Sequence, residues 1–155
     1  MKYESTKTYG HEIGLSACFR QWRANSHCNL LHGYALSFKF TFGATALDER
    51  NWVVDFGGLK PLKELLVNTF DHKLIIAQDD PDLAYFHEMA KKKTIADVIM
   101  LHSVGCEAFA EMAFWMAHDT IQKYNKANEK PRVYVLSCEC AEHGANSAIF
   151  KGSVK

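Results

Sequence analysis

Residues 28–34 read CNLLHGY. Cys28 stands four positions before His32, and Tyr34 stands where a second histidine would complete a metal clamp. An imidazole on a rigid strand can hold zinc when two or three further ligands converge on it. A histidine at such a spacing is otherwise a polar strand residue with one hydrogen bond. A thiol near cationic groups can act as base or nucleophile, and Arg23 and His27 are close in sequence to Cys28. The plain alternative for Cys28 is a small buried residue.

Two further positions could carry proton chemistry. In Asp71 and His72 a carboxylate is set to orient an imidazole and stabilise its charge. Adjacent residues share such a bond only where a helix ends irregularly; otherwise the pair is a polar helix terminus. Glu139 is a charge inside an apolar stretch, with an alternation that puts it on the face of Val133, Val135 and Ser137. Burying it unpaired is costly. Facing a pocket, it could accept two N–H bonds from the edge of a guanidine-like ring; as an edge residue it needs no role. Glu107 suits the positive end of a helix. His143 and Asn146 fit a hairpin turn, and Lys91, Lys92 and Lys93 fit a solvated helix end.

The elements that must position these residues follow from periodicity. Alternation predicts a strand over residues 9–19, a polar loop to residue 30, and a long strand over residues 32–44. In that strand His32, Tyr34, Leu36, Phe38, Phe40 and Phe42 share one face. Asp55 predicts a helix cap, with Leu59, Leu62, Leu65, Leu66 and Phe70 at helical spacing up to Asp71 and His72. Asp80 and Pro81 predict the start of a shorter helix. A helix from Gly105 or Cys106 to about Tyr124 and two closing strands complete the order. The expected fold is α+β: an antiparallel four-stranded sheet with helices packed on one face, in ββααββ order with an inserted short helix.

Composition sets the outer bounds. The chain has 155 residues, a length expected for one domain spanning 1–155. Lys+Arg 18 offsets Asp+Glu 18, which argues against a partner held by a phosphate-binding surface such as nucleic acid. The five cysteines are odd in number, and no apolar segment follows Met1; a cytoplasmic, reducing setting is expected. No apolar run approaches the roughly 20 residues of a membrane span.

Taken in order, Ser16-Ala17-Cys18, Cys28 with His32-Gly33-Tyr34, Trp52-Val53-Val54-Asp55-Phe56, Asp71-His72, Cys106-Glu107 and Glu139 resemble the motifs of one family. It is the 6-pyruvoyltetrahydropterin synthase and 6-carboxytetrahydropterin synthase group, with its tunnelling fold. The resemblance runs over nearly the whole chain. It implies a lyase acting on 7,8-dihydroneopterin triphosphate. In the carboxy-forming branch, which feeds queuosine and 7-deazaguanine synthesis, triphosphate and acetaldehyde are lost. It further implies Cys28 as base, Asp71 with His72 in proton transfer, and Glu139, with Glu107, on the pterin. Zinc held by three histidines is the family's Lewis acid. Here the matching positions are Cys18, His32 and Tyr34, so Cys18 and His32 are the expected ligands. Tyr34, water, or one of His11, His27 and His143 remains for the third place, or the site holds no zinc. Two other readings stay open: a divergent enzyme on another pterin or purine, and a non-catalytic pterin-binding protein. Arg20, Arg23 and Lys39 are candidates for the triphosphate, and an insertion over residues 77–103 could cover the pocket. A homo-oligomer of trimeric barrels, often stacked as hexamers, is implied.

Overall fold

A computed structural model describes residues 1–92, 95–129 and 131–153. Its axis is β3 (His32–Ala44), whose alternation buries Leu36, Phe38, Phe40 and Phe42 completely. β1 (Tyr3–Tyr9) and β2 (Leu15–Phe19) lie in succession along one edge of β3, both antiparallel to it. Tyr9 pairs with Phe38 and Leu15 with Leu36. The residues looped out between the two strands form a 3-10 turn at His11–Ile13, closed by Gly14 at φ 73°. That left-handed conformation costs glycine nothing in Cβ clashes. The single strand expected over residues 9–19 is therefore two strands, the first of them beginning at Tyr3.

The other edge of β3 carries β6 (Val133–His143), which forms a hairpin with β7 (Asn146–Lys151). β4 (Lys73–Ala77) lies parallel to β2, and β5 (Val98–Leu101) parallel to β4. The sheet is thus seven-stranded and mixed, which corrects the four-stranded antiparallel expectation. The sequence hid β4 because its residues are apolar at successive positions. A strand buried on both faces shows no alternation. β1 was hidden for the opposite reason: its inner face reads Tyr3, Ser5, Lys7, Tyr9, too polar to stand out.

Among the described residues three α-helices cover the sheet. α1 (Lys60–Phe70) follows a 3-10 turn at Phe56–Leu59, which Asp55 caps by accepting from the Gly57 amide at 2.8 Å. α3 (Cys106–Ala127) starts at Gly105, held at φ 116°. Both pack into the main core, where Phe109 meets Phe19 at 5.0 Å and Phe70 at 5.3 Å between ring centroids. α2 (Leu83–Lys91) covers the other face. Its Phe86 packs on Leu74 and Ile76, while Ile75 and Ala77 of the same strand point into the main core. Helices therefore lie on both faces, not one, because β4 presents apolar side chains both ways. α2 also begins later than Pro81, at Leu83; Asp80 accepts from the Asp82 amide at 2.8 Å in the turn before it while also binding Arg20. Lys93, the third residue of the expected basic helix end, lies outside the described residues.

One irregularity decides where Glu139 points. Thr41 pairs with Ser137 but Phe42 pairs with Val135, leaving Leu136 as an extra residue in β6. Such a bulge reverses the alternation. Val133 and Val135 are buried before it, Cys138 and Cys140 after it. Glu139 therefore faces away from Val133 and Val135, contrary to the uninterrupted alternation.

Candidate functional site

His32 and Tyr34 lie two residues apart on β3 and share one face. On β2, the residues paired with them are Phe19 and Ala17. Three rings converge there: Phe19 and His32 at 5.4 Å, His32 and Tyr34 at 5.4 Å, Phe19 and Tyr34 at 6.1 Å between centroids. His32 Nδ1 lies 2.7 Å from the Leu30 carbonyl oxygen. A carbonyl only accepts, so Nδ1 carries the proton and Nε2 keeps its lone pair. Tyr34 is half-buried. Its phenol is pushed up from its ordinary pKa first by burial, then by the negative forms of Glu142, Cys28 and Cys106. The Tyr34 hydroxyl therefore stays protonated at neutral pH.

Cys18 does not join this group. It pairs with Gly33, one step out of phase, and packs beside Leu74, Ile76 and Phe86 on the α2 face. Burial raises its thiol pKa. The strand phase makes the residue at the site Phe19, 3% exposed. Of the other imidazoles offered as a third ligand, His27 is exposed in the turn at residues 27–29, and the His143 ring lies 6.1 Å from that of Tyr34 between centroids. His11 Nδ1 donates to the Ala35 carbonyl, and the two ring nitrogens of His143 meet the Ala145 amide and the Asn146 side chain. Among the described residues no three His, Cys, Asp or Glu side chains come together as a metal set. Zinc needs at least three such donors. The His32 imidazole, the Tyr34 phenol and the Phe19 ring do not fit it, and both ring nitrogens of the neighbouring His143 are engaged.

The loop that carries Cys28 is tied down on both sides. Its own ties are local: the Gln21 amide donates to the Cys28 carbonyl at 2.9 Å, and Ser26 Oγ accepts from the Cys28 amide at 3.3 Å. The stronger ties run to the acidic turn after β4. Arg20 donates from Nε and Nη2 to the two oxygens of Asp80, at 2.9 and 2.6 Å, and from Nη2 to Asp82 at 2.7 Å. Arg20 Nη1 also reaches the Asn29 carbonyl at 3.5 Å. Arg23 and Trp22 both donate to Asp79, and the Arg23 guanidinium lies 4.0 Å from the Trp22 ring centroid. The bonds from Arg20 hold the Asp80 carboxyl below its usual range against the opposing effect of burial. Arg20 and Arg23 are thus neutralised within the protein and are poorly placed to meet a triphosphate. Lys39 is exposed on β3, opposite Glu139. The segment after residue 77 proves to be the anchor of the Cys28 loop.

Asp71 and His72 do form a pair. His72 adopts φ 55°, the irregular helix end that adjacent partners require. Its Nδ1 donates to Asp71 Oδ1 at 2.7 Å, and the same oxygen accepts from the Ser16 amide at 3.3 Å. Burial alone would raise the Asp71 carboxyl; the bonds from His72 and Ser16 outweigh it and leave it lowered. His72 Nε2 is directed outward on a side chain 86% exposed. Glu139 accepts from the Ser147 hydroxyl at 2.7 Å on the face away from the main core. Glu107 is exposed in the first turn of α3, next to the buried Cys106. No hydrogen bond joins Cys28, His72 and Glu139 within one chain among the described residues.

Sequence reasoning missed Phe19 and the Arg20–Asp80 clamp. The phase of Leu15 and Ala17, both core residues, is the signal that places Phe19 beside His32.

Comparison with known proteins bears on the family and the fold. The model of the family described as 6-pyruvoyl tetrahydropterin synthase matches residues 10–153. A 6-carboxy-5,6,7,8-tetrahydropterin synthase of Aquifex aeolicus is 30% identical over 103 residues, 59% of this chain and 64% of that protein. The match thus spans less than two thirds of that relative's length. An uncharacterized protein of Wolinella succinogenes superposes with a TM-score of 0.77 at 18% identity, covering 97% of this chain and 98% of that one. The 6-pyruvoyl tetrahydropterin synthase of Plasmodium falciparum gives 0.66 at 13%, covering 97% and 99%. At these identities the likeness to the two solved structures is one of fold.

Proposed function

The chain belongs to the 6-pyruvoyl tetrahydropterin synthase family, and from that premise we propose that it is a pterin lyase of the carboxytetrahydropterin type. It converts 7,8-dihydroneopterin triphosphate to 6-carboxytetrahydropterin with loss of triphosphate and acetaldehyde. The observation that carries this reading is the pairing of Asp71 with His72 at the left-handed end of α1. The left-handed φ at His72 ends α1 and at the same time sets the ring beside Asp71.

Each group has a definite task. The Cys28 sulfur takes the proton from the substrate side chain. Asp71 holds His72 Nδ1–H, so that Nε2 delivers or removes a proton. Glu139 accepts from the N–H edge of the pterin ring. These groups are not joined within one chain, and the reading supplies the missing proximity from a neighbouring copy. β1 and β7 each pair on one side only among the described strands. Open edges of this kind invite pairing, and Trp52 and Phe56 stand exposed near β1. A closed homo-oligomer joining these edges brings His72 of one copy to Cys28 of the next.

The test is incubation of purified protein with 7,8-dihydroneopterin triphosphate. Acetaldehyde release by the wild type, and none by Cys28→Ala, supports the reading; a folded, assembled wild type that releases none refutes it. The ring cluster at Phe19, His32 and Tyr34 favours one second reading, a divergent member acting on another pterin or a purine. In that case triphosphate-free pterins or purines are turned over while 7,8-dihydroneopterin triphosphate is not.

A further inference from the structure

We propose that the aromatic cluster Phe19, His32 and Tyr34 stands in the place of a metal centre, so that the site engages a hydroxylated pterin side chain by hydrogen bonds instead of zinc. The inference rests on the family reading only for where a metal would sit. The rest is strand geometry. A metal held from positions 32 and 34 lies on one face of β3. On β2 positions 15, 17 and 19 share that face; the two that pair with Tyr34 and His32 are Ala17 and Phe19. Neither has a donor atom. Cys18, the one thiol on β2, points to the opposite face.

Phe19 also fills the space. Its ring contacts His32 and Tyr34 on one side and packs edge-on against Phe109 on the other. It is 3% exposed and belongs to the main core. A metal ion at this point would lose its third ligand and meet an apolar ring.

What remains is a complementary pair of polar atoms. His32 Nε2 accepts, because Nδ1–H is committed to Leu30. The Tyr34 hydroxyl donates. Zinc grips two neighbouring hydroxyls together, whereas this pair addresses them separately, one as donor and one as acceptor. The ligand class is a pterin whose side chain carries hydroxyl groups.

Metal content tests the proposal without reference to turnover. Wild-type protein is dialysed against zinc, passed over a chelating resin and subjected to elemental analysis. Fewer than about 0.1 zinc per chain is expected; near-stoichiometric zinc that is lost in His32→Ala overturns the proposal. Restoring the donors with Phe19→His and Tyr34→His together should create a site for about one zinc per chain, with cobalt giving tetrahedral absorption. A folded double variant that still binds no metal also overturns it. Because Phe19 is a core residue, the double variant carries a folding risk, and the wild-type measurement decides alone if it does not fold. Binding supplies the second arm. Tyr34→Phe should weaken dihydroneopterin about tenfold, the worth of one hydrogen bond, and leave a pterin without the side chain unchanged. Equal weakening of both ligands contradicts the hydrogen-bonding role. Wild-type protein that binds zinc and still releases acetaldehyde would sink this inference and leave the proposed function standing.

Discussion

Cys28 and the Asp71–His72 pair divide the proton chemistry, so their variants should fail differently. Cys28→Ala should lower turnover at least about 100-fold, the usual worth of a positioned acid or base, with the melting temperature unchanged. Asp71→Asn should lower kcat while leaving pterin affinity nearly intact, because it frees the His72 ring to turn without touching the ligand. Steady-state kinetics beside equilibrium binding separates the two effects. The same carboxylate makes stability depend on pH. Its folded pKa is lowered, so its contribution is present above the ordinary carboxylate range and is lost as pH falls through the folded value. Asp71→Asn should therefore differ from wild type at pH 7 and converge with it toward acid, as thermal melts at several pH values would show. Cys28, Asp71, His72 and Glu139 were all legible as residue types and spacings. Phe19 was not, because a phenylalanine carries no chemical signal. Only its strand phase puts it beside His32.

At the scale of elements, the Cys28 loop depends on the acidic turn after β4. Asp80 has a side chain 1% exposed, and Arg20 is 18% exposed. Removing one partner of so buried a pair leaves the other charge uncompensated, at a cost of about 3 kcal/mol. Asp80→Asn should show that loss by chemical denaturation at neutral pH. The lowered carboxyl of Asp80 makes the difference shrink as pH falls into the acid range. The variant should also speed alkylation of Cys28 by a neutral thiol reagent, since the loop is then released. An unchanged alkylation rate would mean that the clamp supports α2 rather than the site. Phe109→Ala, which empties the contact shared by Phe19 and Phe70, should cost about 3–4 kcal/mol. Strands and helices with clean periodicity, β3 and α1 above all, could be read from the chain. The bulge at Leu136 could not. One extra residue in β6 changes no local preference and is settled by pairing with β3.

At the scale of the molecule, the fold leaves its chemistry dispersed. β3 carries His32 and Tyr34 with Cys28 nearby, the end of α1 carries Asp71 and His72, and β6 carries Glu139 beyond a bulge. The account joins them by assembly, so light scattering at micromolar concentration should report a homo-oligomer in multiples of three. A monomer would leave the three groups apart. The order of motifs along the chain indicated the family without showing this separation, because distance between residues of neighbouring copies leaves no mark on a single sequence. A crystal structure of the assembled protein with a dihydropterin bound tests the central claim most directly. The account predicts the sulfur of Cys28, the His72 ring of an adjoining copy and the Glu139 carboxylate around one bicyclic ligand. A ligand bound elsewhere, or a Cys28 remote from His72 and Glu139 in every neighbouring copy, would contradict it.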